Sequence, residues 1–189
     1  MKNVRIVRGL ALTSLASLGL IAVTPAFAES QFVTAGTPTV ANARLNFQVN
    51  VPRFLEFQVG TAGATIDTVS FNVAAADVGN NTPVDGNMTV AVNLRGNGGA
   101  ISLSADTSAD PLNSGADQIP FSAIATNLDS GTINAPVLTD GASAPVVIAV
   151  TSGTRVTNRN AVWSYDFAND AVYGAGTYAG QVVYTATMP

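Results

Sequence analysis

The side chains able to do chemistry in this chain are carboxylates, hydroxyls and a few cations. Twelve Asp and Glu stand against eight Lys and Arg, and the sequence contains no His and no Cys. Those two absences exclude thiolate and imidazole catalysis, disulfide frameworks and zinc sites built on Cys or His. Ser and Thr are plentiful, but the only Lys is Lys2, so no obvious base stands ready to activate a hydroxyl. Glycoside hydrolysis needs two facing carboxyl groups. Here every acid except Glu29 and Glu56 is an Asp, and most lie in polar turns. Glu56 alternates with Leu55 and Phe57 and reads as a solvated strand residue. No catalytic residue and no cofactor site is assigned, and an enzyme is not expected.

For a metal, the best constellation is Asp77 and Asp85, with Asn80 and Asn81 in the same Gly/Asn-rich loop. Asp106 with Asp110, and Asp166 with Asp170, bracket two further loops. Ca²⁺ takes six to eight oxygen ligands, which such loops can gather. None has EF-hand or repeat spacing, and turn chemistry is the simpler explanation for these residues. Asp77 and Asp85 therefore stand as a calcium candidate only. Trp163, Tyr165, Phe167, Tyr173 and Tyr178 have the character of a sugar-stacking surface. However, 163, 165 and 167 share one strand face and are expected in the core.

The elements that must position these groups begin after a leader. Lys2, Arg5 and Arg8 precede an uncharged, Leu- and Ala-rich stretch from Gly9 to Val23. Thr24-Pro25 breaks it, and Ala26-Phe27-Ala28 has the small-x-small form of a cleavage site. This is the layout of a secretory signal peptide over 1–28, its apolar run shorter than the ~20 residues that span a bilayer. The exported part keeps Arg44, Arg53, Arg95, Arg155 and Arg159, no Lys and all twelve acids, a net charge of −7. Such a surface disfavours nucleic acid and anionic membranes as partners.

After residue 28 there are twenty Val but seven Leu, and clusters of Gly, Asn, Asp, Ser and Pro separate short apolar segments. β-Branched residues suit a pleated surface, and this punctuation suits antiparallel strands. Residues 29–43 read as a flexible N-terminal arm and 44–189 as a single domain. Leu45, Phe47, Val49 and Val51 alternate with polar residues, and beyond Pro52 the parity returns in Leu55, Phe57 and Val59. Further strands are expected at Val69 to Val73 and at Met88 to Leu94. Arg95 to Gly99 reads as a turn that returns Ile101 to Ala105 as a hairpin partner. Ile119 to Ile124, Ile133 to Leu138, Val146 to Val150, Trp163 to Phe167 and Tyr178 to Met188 follow, with Asp129-Ser130-Gly131 as a turn. Eight to ten such strands imply an immunoglobulin-like antiparallel β-sandwich.

Two segments resemble a known family. Leu45-Asn46-Phe47-Gln48-Val49-Asn50-Val51-Pro52, followed by Phe54-Leu55-Glu56-Phe57, is similar to the opening of alpha-type fimbrial subunits, the Cys-free major pilins of colonisation-factor pili. Gly176-Thr177-Tyr178-Ala179-Gly180-Gln181-Val182-Val183-Tyr184 resembles the closing strand of chaperone–usher pilins. Together they cover about thirty residues. The resemblance implies an incomplete sandwich completed by donor-strand exchange, with a periplasmic chaperone and an outer-membrane usher as partners. It implies a homopolymer at the cell surface, reached through the periplasm, with a role in adhesion. Leu45, Phe47, Val49 and Val51 would be the assembly strand. Gly176, Tyr178, Gly180, Val182 and Tyr184 would mark the C-terminal strand, with its even positions facing inward and Gly180 leaving room for a close neighbour. Phe32, Val33 and Val40 offer an alternative donor. A self-contained secreted or periplasmic module binding a glycan or matrix protein is the competing expectation.

Overall fold

A computed structural model describes residues 30–189, whose regular structure is β apart from one 3₁₀ turn. The expected signal peptide lies outside the described residues. The chain divides into two units, Met1–Asn50 and Val51–Pro189. In the first, no described residue belongs to a strand. Leu45, Phe47 and Val49 are 68%, 86% and 83% exposed, and Val51, at the start of the second unit, is 74% exposed. The strand expected at Leu45 to Val51 is therefore absent. Alternation defines an apolar face, but a strand forms only where a neighbour takes up its backbone hydrogen bonds.

The second unit contains ten strands and one 3₁₀ turn. In chain order the strands are β1 (Leu55–Val59), β2 (Val84–Asp85), β3 (Val90–Gly96), β4 (Ile101–Asp106) and β5 (Leu112–Ser114). They continue as β6 (Asp117–Ile119), β7 (Ile124–Gly131), β8 (Val146–Ile148), β9 (Thr157–Phe167) and β10 (Val183–Thr187). All pairings are antiparallel. β9 is the hub of the larger sheet: β3 and then β2 line one edge, and β7 lines the other. β1 closes that sheet beyond β3. The smaller sheet runs β10-β4-β8, and β5 and β6 form a separate hairpin.

The two larger sheets share one core, which gives a sandwich-like arrangement. Val90, Val92 and Leu94 of β3 and Ala161, Trp163 and Tyr165 of β9 meet Ile101, Leu103 and Ala105 of β4 and Ile148 of β8. Trp163 is fully buried, and its Nε1 donates to the Ile133 carbonyl at 2.7 Å. Trp163, Tyr165 and Phe167 are thus core residues rather than a sugar-stacking face.

Several segments differ from the sequence reading, each for a physical reason. β3 and β4 are not a hairpin: after the Gly96–Gly99 corner the chain changes sheets. Both strands bury every second side chain, and facing each other across the core hides both sets. Asp129-Ser130-Gly131 is not a turn but the end of β7, with a register shift between Leu128 and Ser130. Gly131 adopts φ +91° there, and a Cβ would collide with the Asn160–Ala161 backbone. Ile119 to Ile124 is broken by Pro120 and the 3₁₀ turn Phe121–Ala123. Ile133 and Leu138 are buried without a ladder, with Pro136, which has no N–H to give one, between them. Val69, Phe71 and Val73 pack against the core. Their segment forms no strand and is tied at one place by Ser70 and Asn87, which exchange two hydrogen bonds.

Candidate strand-docking groove

β1 and β10 are edge strands of their sheets, as are β2, β7 and β8. Among the described residues β1 pairs only with β3, and β10 pairs only with β4. Between them lies a cavity of about 410 Å³ lined by Arg53, Phe54, Leu55, Ala186, Thr187 and Met188. It is shallow, with Arg53 and Thr187 among its lining side chains. Phe57 and Val59 from one side, and Val182, Tyr184, Ala186 and Met188 from the other, are half-buried against the core.

Parity explains the half-burial. From Gln181 to Pro189 odd positions are exposed and even positions are half-buried, so the even face of this segment points inward. Tyr184 lies 5.5 Å from Trp163, ring centre to ring centre, and its hydroxyl is 3.2 Å from that of Tyr165. Burial raises the Tyr184 phenol well above its ordinary range, and the neighbouring Tyr165 adds to the shift. Burial also raises Tyr165, partly offset by the bond from Tyr184.

The remaining residues of the closing motif lie elsewhere. Only Tyr184 of Gly176, Tyr178, Gly180, Val182 and Tyr184 falls within β10. The segment before it docks on β5, where Asn113 and Ala179 exchange backbone hydrogen bonds of 2.9 and 3.0 Å. Gly180 does sit where a neighbour packs closely: a Cβ there would come within 2.9 Å of the Phe121 ring. The Tyr178 hydroxyl donates to the Gly174 carbonyl at 2.8 Å, and its ring meets Tyr173 edge-on. Gly176 lies against Ser114.

The mouth of the groove is organised by residues whose roles the sequence reading did not find. The Asn97 Nδ2 donates to the Pro52 carbonyl at 2.7 Å, and the Phe54 N–H donates to Asn97 Oδ1 at 2.9 Å. Arg53 donates from its guanidinium to the Met188 carbonyl at 3.1 Å. In sequence Asn97 stands in Gly-Asn-Gly-Gly, which signals a turn and nothing more. Glu56, expected at the surface, is exposed on β1 and pairs with Arg95 at 3.1 Å. An exposed pair of this kind adds little stability.

The calcium candidate has a different architecture. Asp77 and Asp85 are both exposed and line a polar recess of about 470 Å³ with Asn80, Thr82 and Asn169. Buried Asn169 occupies this loop as a staple. Its Nδ2 donates to the Asp77 carbonyl, to Asn80 Oδ1 and to the Thr82 carbonyl, while its Oδ1 accepts from the Gly79 N–H. Oxygens of Asp77, Asn80 and Thr82 are thus engaged by N–H donors, Asn80 Nδ2 reaching Asp77 Oδ1 as well. Among the described residues no three acidic side chains gather as a metal would require.

No protein-family model, no curated protein and no solved structure matches the chain.

Proposed function

We propose that this chain is a structural subunit of an extracellular fibre, assembled when Leu45 to Val51 of one copy enters the β1–β10 groove of the next. The carrying observation is the pair of unsatisfied partners: a period-two apolar segment exposed along its length, and a shallow recess beside the open edges of β1 and β10. β-Augmentation joins such partners, with main-chain hydrogen bonds to the edge and alternate side chains in the groove. Leu45, Phe47, Val49 and Val51 match the spacing of Val182, Tyr184, Ala186 and Met188 on the groove's β10 side.

The strand order supports an immunoglobulin-type reading. Six strands have five residues or more: β1, β3, β4, β7, β9 and β10. Lettered A to F in chain order, they form sheets A-B-E-D and C-F. A seven-stranded immunoglobulin sandwich has A-B-E-D and C-F-G. Among the described residues no strand takes position G beside F, which leaves that edge of β10 open. On this reading a donor from another copy supplies strand G. A periplasmic chaperone would cover the same edge beforehand, since an exposed apolar edge invites aggregation, and an outer-membrane usher would order the exchange.

The test uses the exported chain, refolded at increasing concentration and followed by electron microscopy and size-exclusion chromatography. Fibres should form, and a peptide of residues 44–52 should stop their growth while the same peptide carrying Val49→Asp should not. A chain that stays monomeric at all concentrations and ignores the peptide would overturn the proposal and favour a self-contained binding module.

A further inference from the structure

We infer that Asn97 holds the root of the arm extended, so that residues 45–51 serve a second copy instead of folding back on their own β1. The inference rests on the strand-donor reading above.

The β1–β3 register pairs Leu55 with Gly96, so the next position sets Phe54 against Asn97. There the Asn97 N–H donates to the Phe54 carbonyl at 3.4 Å. From that point the side chain extends the ladder: Oδ1 accepts from Phe54 N–H, and Nδ2 reaches Pro52 O. In an extended chain the N–H and C=O groups on one edge recur every second residue. One amide can therefore grip the Pro52 carbonyl and the Phe54 N–H together only while 52–54 stays extended. Arg53, between them, adds a tie to Met188 on the opposite edge.

Nothing in the apolar pattern forbids insertion into the chain's own groove. A hairpin with Pro52-Arg53-Phe54 as its three-residue loop, a common length, would set Val51 opposite Leu55, Val49 opposite Phe57 and Phe47 opposite Val59. Parity matches at every pair, so the arm would close its own groove and end polymerisation. What opposes this is the loop. Reversing the chain at 52–54 breaks both bonds to the Asn97 side chain and the Arg53 tie. Two such bonds shift the balance between own-groove and neighbour insertion by roughly tenfold or more. Asn97 is thus a positioning residue for assembly.

The test compares the exported full-length chain with Asn97→Ala, Asn97→Asp and the double variant Asn97→Ala/Val49→Asp. Polymer yield is read by size-exclusion chromatography, and amide exchange over residues 45–51 of the monomer by mass spectrometry. Asn97→Ala should lower polymer yield about tenfold and slow exchange over 45–51, and the double variant should lose that protection. Asn97→Asp keeps the acceptor for Phe54 N–H and should show the same change at smaller size, which preserves the test if the alanine variant does not fold. Wild-type polymer yield with fast exchange in both single variants would overturn the inference and leave the donor reading intact. A wild-type chain that never polymerises would overturn both.

Discussion

Leu45–Val51 and Val182–Met188 carry one pattern to opposite outcomes. Each is seven residues long with apolar side chains at every second position. The first lies outside every strand with its apolar residues exposed, whereas the second packs its even face on the core and contributes β10. The difference is the partner. β10 has β4, register-matched from Asp106 to Ser102, and the first segment has no such neighbour among the described residues. Period-two alternation thus specifies a face to be buried, and the surrounding chain decides where.

The largest effects come from placing the same charge in each segment. Val49→Asp alters an exposed side chain, so the monomer's unfolding free energy should change by less than about 0.5 kcal/mol. Polymers should be lost entirely, because the inserted strand would bury an unpaired carboxylate. Val182→Asp should do the reverse, destabilising the monomer itself by on the order of 3 kcal/mol and suppressing periplasmic accumulation. Gln181→Asp, on the exposed face, is the control and should be tolerated. Urea unfolding and immunoblots of the periplasmic fraction read all three. Equal loss of monomer stability in Val49→Asp and Val182→Asp would show that both segments are built into one folded chain, and the contrast would collapse.

A smaller effect is expected just before β10, at Gly180. A Cβ there would meet Phe121 and the Leu112 side chain at 2.9–3.0 Å. Gly180→Ala should therefore cost about 1–3 kcal/mol through overpacking, read as a lower urea midpoint with unchanged m-value. An unchanged midpoint would mean that the Phe121 ring gives way freely.

These particular residues also mark what the sequence made legible. The inward face of β10, the buried Trp163 face of β9 and the Leu55–Val59 strand followed directly from alternation, because each is a regular ladder with one apolar side. The β3–β4 connection did not: a Gly-rich corner looks the same whether the next strand returns beside its predecessor or crosses to the other sheet. Nor did the roles of Asn97 and Asn169. Each acts through side-chain bonds to backbone distant in sequence, from Asn97 to Pro52 and Phe54 and from Asn169 to residues 77–82. Neither Gly-Asn-Gly around Asn97 nor Ala-Asn-Asp around Asn169 carries any trace of such partners. The groove was legible only as two halves, since an open edge is a property of topology and not of any segment.

The smallest expected effect is alkaline. Tyr165 and Tyr184 touch through their hydroxyls, and both phenols are raised, chiefly by burial. Above the ordinary tyrosine pKa near 10, the unfolded chain releases these protons while the folded chain retains them. The folded state then binds more protons than the unfolded one, so stability falls as pH rises. The stabilisation is fully present below pH 10 and is lost as pH climbs toward the raised folded values. Tyr184→Phe removes one of the two phenols at the modest cost of one hydrogen bond, about 1 kcal/mol at neutral pH. In exchange it should flatten the decline in stability between pH 10 and 12, a window set by the direction of the shifts. A strand seated beside β10 would cover Tyr184 further, so polymers should resist alkaline dissociation to a higher pH than monomers resist unfolding. Titrating both by tyrosine absorbance separates the cases. If polymer and monomer ionise their tyrosines together, the inserted strand does not lie beside β10 at Tyr184.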